Sequence, residues 1–116
     1  MAARKSKRSA VTFETVRKIL LELPDVEETT SYGTPAFRVR KKLIARQHQD
    51  GESLVVRADF DARETLLRAK PKAFFLTDHY RAYPYVLVRL AAVSKKDLTD
   101  VLTEAWRQAT PRGRRR

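Results

Sequence analysis

The stretch AFRVRKKLIARQHQDGESLVVRA, residues 36–58, specifies most of the architecture, because apolar and polar side chains alternate along it in three short runs. Such alternation is typical of strands with one buried and one exposed face. We predict strands over residues 36–40, 42–48 and 54–58, joined by a hairpin tip at Lys41-Lys42 and a turn at residues 49–52. The buried face would then carry Phe37, Val39, Leu43, Ala45, Leu54, Val56 and Ala58.

Helical patterns lie on both sides of this stretch. Helices are predicted at residues 13–23, at 62–69 and from Ser94 onward, with Thr12, Asp61 and Ser94 as their caps. Residues 25–31 are interpreted as a polar linker, and two further strands are predicted at 74–77 and 85–90. This order implies an α+β fold in two layers, a mainly antiparallel sheet of about five strands with helices on one face.

Positive charge is the dominant feature of the composition. The chain of 116 residues has 25 basic and 14 acidic residues, a net charge of +11. Four basic residues lie within residues 1–10 and four within 110–116, segments predicted to be flexible arms on one domain at 11–109. Arms of this kind favour polyanions through counterion release, although an aid to solubility is an equal alternative.

The residue types that are missing exclude several kinds of chemistry. Without cysteine the chain has no disulfide and no thiolate site, and its two histidines have no metal-binding spacing. We therefore expect no metal, no cofactor and no enzymatic activity. No apolar segment follows the basic N-terminus and none is long enough to span a bilayer, so we expect a cytoplasmic protein without a membrane role. We also expect a monomer.

The polar sides of the predicted strands are unusually basic. Alternation places five basic residues on the side away from the apolar residues: Arg38, Arg40, Lys42, Arg46 and Arg57. Tyr85 and Arg89 of the last strand lie beside them, and Asp59 is the only acidic residue predicted on this side. Such a face could track a phosphate backbone while Tyr85 stacks on a base. A solvated face whose long side chains cover apolar atoms is an equal alternative.

The loop before the last strand is a second candidate site. His79 and Arg81 could bind phosphate while Tyr80 and Tyr83 stack on bases. In the alternative, which the sequence favours, the tyrosines pack on the sheet edge and His79 is satisfied by backbone hydrogen bonds.

Four segments together resemble the MmcQ/YjbR-like proteins over roughly residues 13–109: Leu23–Glu28, Tyr32–Val39, Asp78–Val88 and Ala105-Trp106. The resemblance implies a two-layer fold of the secretion-chaperone-like or frataxin-like kind. It also implies DNA binding, through a proposed double-wing arrangement. Other branches of the family carry a His-x-Asn…Trp pattern where this chain has His79-Tyr80-Arg81-Ala82-Tyr83-Pro84, so roles tied to that Asn or Trp do not transfer.

From these features we expect a non-enzymatic, largely sequence-nonspecific DNA-binding protein. Its contacts would come from the basic face, the loop and the arms. The alternative is a chaperone-like adaptor that uses the same face to receive an acidic protein partner. The target, any base or strand preference and the share of binding due to the arms do not follow from the sequence.

Overall fold

The fold is α+β, as predicted, in a computed structural model that describes residues 11–31 and 33–110. The elements in chain order are α1 Phe13–Leu21, β1 Val26–Ser31, β2 Thr34–Val39, β3 Lys42–Gln47, β4 Ser53–Arg57, α2 Phe60–Ala69, β5 Phe74–Phe75, a 3₁₀ turn Asp78–Tyr80, β6 Tyr85–Arg89 and α3 Lys95–Ala109. Strands pair antiparallel in the order β1-β2-β3-β4-β6-β5. The predicted arms at 1–10 and 110–116 lie outside the described residues except for Thr110. Its prediction as part of a flexible arm was wrong, since it is buried and donates its hydroxyl to Trp106 O.

The helices cover one face of the sheet and form the core with it. Leu20, Leu98 and Leu102 pack against strand side chains such as Phe37 and Leu54 in one buried cluster. Burying side chains of this size stabilises the fold by about 2 kcal/mol each. The apolar stripes of α1 and α3 therefore fix which sheet face is covered.

The helix starts follow ordinary capping chemistry. Ser94 Oγ accepts the Asp97 amide at 3.1 Å at the start of α3, as predicted. In α2 the prediction of Asp61 as the cap was wrong. Asp59 Oδ1 accepts the Ala62 amide at 2.8 Å, so the helix begins two residues earlier.

An additional strand, β1, replaces the predicted linker. Val26–Ser31 pairs with β2 along its whole length, from Val26 opposite Val39 to Ser31 opposite Thr34. Within residues 11–31 and 33–110 the sheet therefore has six strands rather than about five. Most of β1 is exposed because it is an edge strand, which explains why its sequence has no apolar alternation.

The β2–β3 hairpin turns at Arg40 and Lys41, one residue earlier than predicted. Both residues have positive φ, 51° and 74°, as a two-residue type I′ turn requires. β2 therefore ends at Val39, and Arg40 is a turn residue rather than a strand residue.

A β-bulge at Ile44 changes the pattern of faces in β3. Phe37 pairs with Ala45 and Arg38 with Leu43, so Ile44 is the extra residue between the two pairs. Ile44 and Ala45 both belong to the helix-side core. The prediction that Leu43 shares a face with Ala45 was therefore wrong, since Leu43 lies opposite Arg38 on the other face.

Candidate nucleic-acid interface

The sheet face away from the helices, which we call the outer face, has an apolar centre. Val55 and Leu87 are fully buried there beneath Tyr80, which is 8% exposed. Phe75, Leu76 and Tyr85 pack around them. The segment 78–84 thus lies over the β4–β6 part of this face.

Arg63 of α2 holds this segment in place. Its guanidinium donates to the carbonyl oxygens of Tyr83 at 2.8 Å and Arg81 at 3.1 Å, with longer contacts to Tyr80 and Tyr85. The same group lies 4.7 Å from the Phe60 ring centroid. Sequence reasoning missed Arg63, because nothing in the pattern of α2 indicates a contact with a loop far along the chain.

Three arginines of the outer face donate to main-chain carbonyl groups. Arg38 Nη1 lies 3.2 Å from Lys41 O, Arg57 Nε 2.7 Å from Leu43 O, and Arg89 Nη1 3.3 Å from Lys72 O. Within residues 11–31 and 33–110, none of the three forms an ion pair with a carboxylate. A carbonyl orients a guanidinium but does not neutralise its charge, so each retains a full positive charge at the surface.

Aromatic rings support two of these arginines. The Arg57 guanidinium lies 5.5 Å from the Tyr85 ring centroid, and that of Arg89 lies 4.1 Å from the Phe75 centroid. Cation–π contacts of this kind leave the charge available to an anion while they restrict the side chain. The prediction that Tyr85 and Arg89 lie on the outer face is confirmed by their pairing with Arg57 and Ser53.

The helical layer shows the opposite electrostatic pattern. Arg17 pairs with Glu28 at 2.7 Å and Lys70 with Asp97 at 2.6 Å. These hydrogen bonds lower the pKa of Glu28 and of Asp97 below their usual values. Further pairs join Arg17 to Glu14, Arg68 to Glu64, Lys96 to Asp100 and Arg107 to Glu104. Acid–base pairing is therefore concentrated on the helices.

Two predicted members of the basic face lie elsewhere. Arg40 is an exposed residue of the β2–β3 turn. Lys42 pairs with Val39 and so lies on the helix side of the sheet, because the bulge at Ile44 reverses the alternation in β3. Asp59 is not the opposing acid, since it caps α2 and also accepts from the Gln108 amide. Glu27 pairs with Arg38 and so places an acid on the outer face, which the linker interpretation missed.

Arg46 lies on the outer face but is 7% exposed. Its guanidinium donates to the Tyr80 hydroxyl, to Thr34 Oγ1 at 3.4 Å and to Gln47 O at 3.2 Å. This arginine therefore anchors Tyr80, and through it the 78–84 segment, to the sheet. The prediction that Tyr80 is itself a stacking platform does not suit its burial, whereas packing on the sheet, the other interpretation, does.

His79, Arg81 and Tyr83 form the exposed side of the segment. The His79 ring meets Tyr80 edge-on at 4.7 Å and lies 6.5 Å from the Tyr83 ring. Tyr83 is 55% exposed. Arg81 pairs with Asp78 at 3.0 Å at an open surface, so its charge is partly offset. Of the loop residues, His79 and Tyr83 are the rings best placed for a ligand.

A shallow cleft of about 500 Å³ lies between the segment and β3. Leu43, Arg46 and Tyr80 line it together with Gln49, His79 and Tyr83. In the described part of the chain no group of three or more His, Asp or Glu side chains could hold a metal ion. Nor does any helix there have the length and apolar character to cross a membrane.

Known proteins resemble the chain in sequence and in structure. The family model described as YjbR matches residues 21–108, most of the chain. This chain belongs to the YjbR family. The MmcQ/YjbR-like resemblance found in the sequence is thereby confirmed.

Two mycobacterial relatives of this YjbR protein are described as uncharacterized. The uncharacterized proteins Rv2570 of Mycobacterium tuberculosis and Mb2600 of Mycobacterium bovis are each 31% identical to it over 119 residues, covering 87% of this chain and 90% of theirs. The crystal structure of DR2400 from Deinococcus radiodurans, a protein with a DUF419 domain, matches with a TM-score of 0.75 at 25% identity, covering 88% of this chain and 80% of that one. This match supports the α+β architecture described above.

Proposed function

We propose that this YjbR protein binds DNA through the outer face, largely without regard to base sequence. The observation that carries the proposal is the set of hydrogen bonds from Arg38, Arg57 and Arg89 to carbonyl oxygens. Each side chain is held in place while its charge remains available. Binding of DNA phosphates to such groups releases condensed counterions, which favours association with any sequence.

The spacing of these arginines suits an extended polyanion. Neighbouring strands lie about 4.8 Å apart, so the backbones at Arg38 on β2 and Arg57 on β4 are about 10 Å apart across β3. Arg57 pairs with Tyr85 at the start of β6, whereas Arg89 lies at the end of β6, opposite Ser53. The three charges therefore cover an area rather than one point, as contacts with successive phosphates require. The basic arms add sequence-independent attraction.

The test is fluorescence anisotropy on a labelled 20-base-pair duplex over a series of salt concentrations. We expect log affinity to fall linearly with log salt. Replacing Arg38, Arg57 and Arg89 with Gln should weaken binding about tenfold or more and make the slope shallower by about 3, since each phosphate contact contributes about 0.9. Glutamine keeps an N–H donor for the carbonyl partner but removes the charge.

A matched control variant loses the same net charge from the helical layer, through Lys18→Gln, Arg68→Gln and Lys95→Gln. All three side chains are exposed. Their loss should change the slope by less than 1. Equal slopes for the two variants would contradict the proposal, because binding would then follow net charge rather than the outer face.

A third variant addresses the C-terminal arm, through Arg112→Gln, Arg114→Gln and Arg115→Gln. Affinity should fall, but the further loss caused by the outer-face substitutions should remain. If the arm substitutions alone abolish binding, the folded domain has no DNA-binding role. Retention of an acidic protein without any binding of DNA would favour the adaptor alternative.

A further inference from the structure

The cleft between the 78–84 segment and β3 has features that the phosphate contacts leave unexplained. It is concave, and its volume of about 500 Å³ lies in the range of small-ligand sites. Its walls combine the rings of His79, Tyr80 and Tyr83 with the amide of Gln49. A surface that bound only phosphates would need neither rings nor a concave shape.

Tyr83 points to the nature of the occupant. At 55% exposed it is one of three large apolar or aromatic side chains that stand open in the described part of the chain, and of the three it alone lines this cleft. The neighbouring His79 ring is tilted by 42° to it at 6.5 Å. Exposed rings beside cationic groups are the usual means of binding unpaired bases, because every base has a face that can stack.

Two charged groups of the outer face, Arg38 and Arg57, lie beside the same cleft. Leu43 lines it, and Leu43 pairs with Arg38 across the β2–β3 ladder while its carbonyl accepts from Arg57. Two positive charges therefore flank the cleft. A nucleotide with its phosphates on these arginines would have its base within reach of Tyr83 and His79.

We propose that the cleft receives an unpaired base, which makes single-stranded DNA the preferred ligand. In a duplex both faces of each base are covered by neighbouring bases, so a base enters a cleft only after unstacking. A single strand presents its bases freely. The Gln49 amide can donate and accept, which suits the polar edge of a base without selecting one type. This inference rests on the proposed function and adds a strand preference to it.

The loop's anchors make the cleft a preformed site. Arg63 holds the backbone of the segment by its carbonyl groups, and Arg46 holds the Tyr80 ring by its hydroxyl. Because the backbone of the segment is held, the exposed rings of His79 and Tyr83 lose less conformational freedom when a base stacks on them than rings on a mobile loop would. Tyr83 itself contributes little to the fold, so its substitution separates binding from stability.

The test compares three labelled ligands with the full chain by anisotropy: a 12-nucleotide single strand, an abasic strand of the same length and its duplex. The two strands carry equal numbers of phosphates and differ only in their bases. We expect the normal strand to bind about tenfold more tightly than the abasic strand, within the range for stacking of one base. It should also bind more tightly than the duplex.

Variants assign that difference to the cleft. Tyr83→Ala should remove most of the preference for the normal strand while leaving the affinity for the abasic strand and the salt slope unchanged. Tyr83→Phe keeps the ring and should retain the preference, and His79→Ala should reduce it in part. Unfolding curves for each variant exclude a loss of structure.

The outcomes separate this inference from the function on which it rests. Equal binding of normal and abasic strands with a steep salt dependence would overturn the base site but leave the phosphate interface intact. A preference that survives Tyr83→Ala would also overturn it, since the base would then bind elsewhere. Absence of binding to all three ligands would reject both proposals together.

Discussion

Replacing Arg63 with Ala should loosen the segment that carries His79 and Tyr83. In the folded protein its guanidinium donates to four carbonyl groups, two of them at 3.1 Å or less. A hydrogen bond from a charged group contributes about 1.5–3 kcal/mol when buried. Arg63 is half-buried, so we expect the two short bonds together to contribute about 2 kcal/mol to the free energy of unfolding.

The assay is urea denaturation followed by circular dichroism. With a denaturant slope of about 1.5 kcal/mol per M, a loss of about 2 kcal/mol lowers the midpoint by about 1.3 M. Amide hydrogen exchange at Tyr80 and Tyr83 should accelerate as well, since the Tyr83 amide bonds to Tyr80 O within the segment and the Tyr80 amide bonds to Thr77 O just before it. The two measurements together distinguish local loosening from global destabilisation.

The matched control is Arg68→Ala on the same helix. Arg68 contacts Glu64 at 3.4 Å at an exposed surface, and such pairs contribute about 0.5 kcal/mol or less. Both substitutions replace Arg by Ala in α2, so helix propensity contributes equally. If Arg63→Ala lowers the midpoint no more than Arg68→Ala does, the anchoring of the segment by its carbonyl groups has been overestimated.

Two further predictions concern the helical layer. Because ion pairing holds the pKa of Glu28 and of Asp97 below their unfolded values, their stabilisation is present at neutral pH and is lost as the pH falls through the lowered values. Urea midpoints should therefore be constant from pH 6 to 8 and decline below about pH 4.3. The decline should be less steep in Glu28→Gln, and identical pH profiles for this variant and the unchanged protein would contradict the prediction. Asp59→Ala should cost about 1 kcal/mol in thermal or urea unfolding through loss of the α2 cap, whereas Asp59→Asn should cost little, and equal losses would show that the cap is not the cause.

Much of the fold follows from local chemistry. Period-two alternation around Phe37 and Leu54 and helical periodicity from Leu98 to Trp106 gave the layers correctly, because burial on one side dictates both patterns. This reasoning did not predict β1. As an exposed edge strand it gains its pairing from backbone hydrogen bonds, which any sequence can make, and its β-branched Thr29 and Thr30 were the available signal.

The candidate site was harder to predict, because it depends on contacts between distant segments. Alternation placed Arg38, Arg57 and Arg89 correctly, but it failed at Lys42, since a bulge leaves no trace in the hydrophobic pattern. The role of Arg63 and the burial of Arg46 depend on where residues 78–84 lie over the sheet. The spacing of residues within β3 or α2 does not indicate where residues 78–84 lie.

The bulge at Ile44 bears on how the chain can change in length. Phe37 and Arg38 are consecutive in β2, and they pair with Ala45 and Leu43 on the two sides of the bulge. These pairs would therefore be consecutive in a regular ladder if Ile44 were absent. A deletion at this position would cost a buried side chain yet leave every flanking residue on its present side of the sheet. A deletion at another point in the strand would invert the remainder. Ile44 is thus the natural site in β3 for a change in length during evolution.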